Sequence, residues 1–215
     1  MMRLPRLRLP SGETGRNLWV GAAPDPASFV LAALLLAACG HSAPTAFFTL
    51  DSQPPPQPPA TSFAAAPIRV LAVRMPPLLD RLEVARQVSP ASVQVDDLDR
   101  WSAPLGELAR SAFAEDLAER LPGVQVLPAR VTAPERARDL TVEILSLRHM
   151  GDGFELEGTA VISQAASGAV IDSQTLRLFT ASPRADAAAE AQALGRLLAN
   201  LADRLAPRLA ESAAP

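Results

Sequence analysis

Ile68-Arg-Val-Leu-Ala-Val-Arg-Met75 decides the fold. Ile68, Val70 and Ala72 alternate with Leu71 and Val73, as in a strand buried on both faces. Pro76-Pro77 stops it. Leu82 to Val88 and Ala91 to Val95 read as a hairpin joined at Ser89-Pro90. Beyond it the period changes from two to about 3.6 residues. Trp101, Leu105, Leu108, Ala109, Ala112, Phe113, Leu117 and Leu121 form one apolar stripe, so residues 101–121 are expected to be helical. Asp99 or Ser102 would cap its start, Pro104 is tolerable in a first turn, and Pro122-Gly123 ends it. Glu107, Arg110, Glu115, Glu119 and Arg120 fall on the opposite face and read as a solvated surface.

Val124 to Leu127 is a short strand, which completes a strand–helix–strand unit. A turn of helix is expected at 133–138. Three longer strands follow as a meander, at 140–149, 154–164 and 169–180. Gly151-Asp152-Gly153 makes the first connection, because glycine supplies the positive φ that a tight turn needs. Residues 184–211 form an Ala- and Leu-rich helix with Leu194, Leu198, Leu201, Leu205 and Leu209 on one face, and Pro207 should kink or fray its end. The expected fold is therefore α/β, with α+β as the alternative. It is a single domain whose mixed, mostly antiparallel sheet of six or seven strands packs with two long helices.

Upstream, Arg3, Arg6, Arg8 and Arg16 precede the apolar run Phe29 to Ala38. That run is shorter than the ~20 residues a spanning helix requires and suits a signal-peptide core. It ends in Leu36-Ala37-Ala38-Cys39, which resembles the lipobox of bacterial lipoproteins. Cleavage before Cys39 would leave 177 residues carrying diacylglycerol and an N-acyl chain on that cysteine, with net charge −5. Two or more chains hold a protein stably on a bilayer where one does not. An acidic body gains nothing from anionic lipid, so the acyl chains must do the holding. Gly40 after the cysteine favours the outer over the inner membrane in enteric-type sorting.

The expected layout is a signal peptide at 1–38, a lipidated tether at 39–66 and a globular domain at 67–212. The tether holds a short strand, Phe47-Phe-Thr-Leu50, and a Pro-rich stretch, Gln53-Pro-Pro-Pro-Gln-Pro-Pro59, of extended polyproline type, read as a stiff spacer or loop with a ligand for a proline-reading domain as the alternative.

All 20 basic residues are arginine and the net charge is −3, so nothing supplies the clustered cations a nucleic-acid partner demands. One cysteine excludes an internal disulfide and any site built on two thiolates. The two histidines are His41, in the tether, and His149, expected as an exposed strand-end residue. Asp96-Asp97-Leu98-Asp99 lacks the spaced oxygen ligands of a cation loop and reads as a helix N-terminus. Neither a nucleophile elbow nor a phosphate-cradling loop is present. No catalytic residue, metal ligand or cofactor other than the Cys39 lipid is expected, and the chain is read as a non-enzyme.

Four segments carry a resemblance: Cys39 with its lipobox, Phe47-Phe-Thr-Leu50, Pro76-Pro-Leu-Leu-Asp-Arg81 and Arg100-Trp-Ser-Ala-Pro-Leu105. In order and spacing they are similar to the ABC-type transport auxiliary lipoprotein family, the PqiC-like group. Phe stands where that family has two tyrosines, Leu82-Glu83 replaces a Pro-Gln-like pair, and the Pro-rich insertion is long. The resemblance implies a lipid-anchored subunit on the periplasmic side, at the outer membrane by preference, docking an MCE-domain protein that works with a permease and an ATPase. It names Asp80, Arg81, Arg100 and Trp101 as candidate partner contacts. By its residues alone Trp101 reads first as a core anchor packing on the sheet and second as an exposed interface residue, and Asp80 and Arg81 as the cap and solvated arm of a turn. Free sheet edges leave homo-oligomerisation open. The alternative is an independent periplasmic lipid- or small-ligand-binding lipoprotein, which an apolar cavity under the meander and the final helix would favour.

Overall fold

The computed structural model describes residues 43–89 and 91–211, all within one compact unit, Ala43–Pro215. Its strands are β1 Ala46–Phe48, β2 Ile68–Arg74, β3 Glu83–Ser89, β4 Ser92–Trp101, β5 Val126–Leu127, β6 Arg138–Met150, β7 Gly153–Gln164 and β8 Val170–Ala181. Helix α1 spans Leu105–Arg120 and α2 spans Ala187–Glu211.

The α/β class and the two long helices are as expected. Among the described residues the strands number eight and divide into two mixed sheets, ordered β1-β4-β3 and β5-β2-β6-β7-β8. In the larger sheet β2 pairs parallel with β5 and β6, while β6, β7 and β8 run antiparallel. Helix α1 packs on β2 and β5, α2 packs on β7 and β8, and the two helices pack on each other. Gly106 lets α1 approach β2 closely, since a Cβ there would stand 2.9 Å from the Val73 carbonyl oxygen.

The alternation in β2 fails at one point. A bulge between Val70 and Ala72 sets Leu71 aside, 41% exposed, so that Val73 joins Ile68 and Val70 in the core. A second bulge, between Ile144 and Ser146, turns Leu145 outward in the same way. Both explain apolar residues at the surface without invoking function. The β6–β7 turn depends on Gly151 at φ +65°, and the β7–β8 turn on Gly168 at φ +71°.

Several local expectations are corrected. Asp96-Asp97-Leu98-Asp99 is strand, because Asp96 pairs with Val84 of β3 and Asp99 with Ala46 of β1. Trp101 consequently closes β4 and does not open a helix: its N–H donates to Leu82 O at 2.7 Å. Helix α1 starts at Leu105 behind Pro104, and neither Asp99 nor Ser102 caps it. In place of the helical turn expected at 133–138, residues 134–137 make only a turn, in which Ala137 N–H donates to Pro134 O, and Arg138 already begins β6. Pro207 lies inside α2, which continues to Glu211.

Candidate functional site

Three of the segments quoted above are distant in sequence and meet in space. Phe48 of β1 pairs with Trp101 of β4, their rings edge-to-face at 6.5 Å. Trp101 is 2% exposed, so it anchors the core and offers nothing to a partner. Ser102 N–H donates to Phe48 O. Across the hairpin Glu83 pairs with Arg100, and its carboxylate receives Arg81 at 3.2 Å and Arg100 at 3.4 Å. The hydrogen bond from its own backbone N–H, followed by that from Arg81, holds the Glu83 carboxyl below the usual carboxylate range.

The turn between β2 and β3 is built by its prolines. Pro77 presents no N–H, and the Pro76 carbonyl accepts from both Leu79 N–H and Asp80 N–H. Leu79 is buried beneath, which leaves Asp80 exposed with Arg81 next to it. Asp80 also borders an open groove with Met75 and the first two turns of α1, at Gly106, Glu107 and Arg110. Asp80, Arg81 and Arg100 thus stand at the surface of one junction, and Trp101 lies buried in it.

A second centre lies where the two sheets meet the start of α2. Arg86 of β3, Gln94 of β4, His149 of β6, Phe154 of β7 and Glu190 of α2 line a cavity of about 220 Å³. Glu190 is 2% exposed, and its Oε2 has no hydrogen-bond partner among the described residues; the same holds for Arg86 Nη1. Burial pushes the Glu190 carboxyl up to about 7, against the opposing pull of Arg86. His149 is half-buried. Its Nε2 donates to Ser182 O at 3.3 Å and its ring lies edge-on to Phe154 at 4.9 Å, so it is not the exposed residue expected.

A third cluster fastens the Pro-rich segment. Asp116 is wholly buried and accepts from Gln53 N–H at 2.6 Å. Arg120, expected on the solvated face of α1, is buried instead. It donates to Gln53 O and pairs with Asp203 at 2.6 Å. Burial raises the Asp116 carboxyl to about 6, opposed by Gln53 N–H and then Arg120. Pro55, Gln57, Pro59 and Phe63 line a groove with Arg120 and Asp203, so this stretch is packed against the body rather than held off as a spacer.

Glu190, Arg86 and Asp116 escaped the sequence reading. Glu190 breaks the Ala-rich face of its helix, and that was the one signal available. Cys39, Leu36, Ala37, Ala38 and His41 lie outside the described residues. Among those described, no three His, Cys, Asp or Glu side chains gather as a metal-ion set, and no helix is long and apolar enough to cross a membrane.

A family model described as the ABC-type transport auxiliary lipoprotein component matches residues 48–206. No curated protein matches the chain in sequence. A crystal structure of an uncharacterized protein superposes with a TM-score of 0.62 at 15% identity, over 77% of this chain and 99% of its own. A DUF330 protein from Xanthomonas campestris gives 0.57 at 15% identity, over 80% and 95%. At such identities the likeness concerns the fold alone.

Proposed function

The chain belongs to the ABC-type transport auxiliary lipoprotein family, and from that premise we propose that it is the docking subunit of an MCE-type lipid transport system. As a member of that family it is a cell-envelope protein and a component of ABC-type transport. On this reading Cys39 carries the lipid, on the periplasmic side and at the outer membrane by preference. The folded body receives the MCE-domain protein, which acts with its permease and ATPase. The chain itself turns over no substrate.

The observation that carries the docking role is the convergence of the family-like segments on one junction. Trp101 and Phe48 lock the small sheet, and the Glu83 carboxylate steadies Arg81 and Arg100. Asp80 and Arg81 are then displayed on a turn whose backbone is tied to Pro76. A charged pair on a stiff support loses little conformational freedom on binding, which is what an orienting contact needs.

The test is affinity purification from gently solubilised membranes with Asp80→Asn and Arg81→Gln combined. We expect the wild type to bring down an MCE protein with its permease and ATPase. The double variant should recover them at least tenfold less well with its melting temperature unchanged. Unaltered recovery would remove the turn from the interface. A lowered melting temperature would return both residues to a structural role.

A further inference from the structure

The cavity beside Glu190 opens onto a groove of different character. Gln87, Val88 and His149 line both spaces. The groove, about 400 Å³, runs on past Arg148 and Met150, and Val88 and Met150 lie exposed along it. A chamber of mixed lining that holds Arg86 and Glu190 thus leads into a more apolar channel. Together they fall within the size range of small-ligand pockets, about 300–1,000 Å³.

The chamber carries two unmet polar demands of opposite sign. Among the described residues, buried Glu190 Oε2 has no donor and buried Arg86 Nη1 has no acceptor. Leaving either so in a dry interior costs on the order of 1–3 kcal/mol, and more for a charged group. A purely anionic ligand would serve Arg86 but face the Glu190 carboxylate. Asp99 also feels the field of Arg86, so the surroundings are not simply cationic. A purely cationic ligand fails at Arg86 for the converse reason. A head group bearing both signs answers both groups, and a chain attached to it would follow the groove.

We infer that this chamber and groove form a binding site for a single-chain zwitterionic amphiphile, its ammonium at Glu190, its phosphate at Arg86 and its acyl chain along Val88 and Met150. The site lies at the meeting of the two sheets with α2 and uses none of Asp80, Arg81 or Arg100. It therefore stands or falls independently of the docking role.

The test uses the full lipidated chain in phosphatidylcholine vesicles and a lysophosphatidylethanolamine with a photoreactive group in its chain. Saturable labelling is expected at residues 87–89 and 148–150. Arg86→Gln and Glu190→Gln should each lower it at least tenfold, with folding verified by thermal melting. Val88→Asp, an exposed position that leaves the core intact, should block labelling by placing a charge in the channel. A fatty acid of equal chain length should compete at least tenfold less well than unlabelled lysophosphatidylethanolamine. The assignment is overturned if labelling does not saturate or scatters over other apolar surface. It is equally overturned if the folded variants label like wild type, or if the fatty acid competes as well as the zwitterion.

Discussion

Glu190 illustrates how one buried acid governs behaviour at neutral pH. Its carboxyl titrates near 7 in the folded protein, against an ordinary value of 4.5, because burial strips its hydration. The folded state therefore binds more protons than the unfolded state between those values, and stability falls as pH rises through that window. Below about 4.5 the group contributes nothing, and above about 7 it costs on the order of 3 kcal/mol. Glu190→Gln keeps the shape and removes the charge. At pH 8 it should stabilise the protein by about 2 kcal/mol, allowing for an amide N–H that inherits the lack of a partner. At pH 4.5 the gain should vanish. Urea unfolding at the two pH values checks this, and an equal gain at both would show that the Glu190 charge is not what strains the site.

At the scale of elements, α1, α2 and the segment at 51–63 are joined through Arg120. Its guanidinium reaches Asp203 on α2, the Gln53 carbonyl and, 3.6 Å away, Asp116. Removing one partner of a buried ion pair strands the other, a loss typically of 3–5 kcal/mol. Arg120→Met should cost about 3 kcal/mol at pH 8 and distinctly less at pH 5, where Asp116 is protonated and has no charge to strand. Protease cleavage within residues 51–63 should accelerate in the variant. An identical cost at both pH values would make packing, not charge, the function of Arg120.

This clasp also shows where sequence periodicity stops being informative. Arg120 falls on the polar face of its helix by position, and it is buried where Asp203 of α2 and the proline-rich segment meet over that face. The meander was legible because Gly151 and the two-residue alternation from Leu140 onward are local signals. Strand β4 was not: Asp96 to Asp99 has no strand propensity of its own, and pairing with β1 and β3 overrides it. The same non-local pairing drew Trp101 out of the expected helix. Of the candidate surface residues, Asp80 and Arg81 could be found from Pro76-Pro77 and an adjoining charge pair. The Glu190 cavity could not, because it needs five elements in place before it exists.

For the whole molecule the decisive question is how anchor and body divide the work. Docking through a few exposed charges gives weak contacts, since such pairs contribute about 0–1 kcal/mol each. Lipid on Cys39 would compensate by confining the body to one surface and raising its effective concentration toward a partner that approaches there. The two contributions are separable by mutation. Cys39→Ala should abolish labelling by radioactive palmitate and leave precursor of full length. Asp80→Asn with Arg81→Gln should leave labelling and processing intact while partner recovery falls. Palmitate retained by the cysteine variant would show that the lipid is attached elsewhere and the chain is held to its membrane by another device. Unlabelled precursor that still recovers its partner in full would show that the body's own contacts suffice and that the anchor serves location alone.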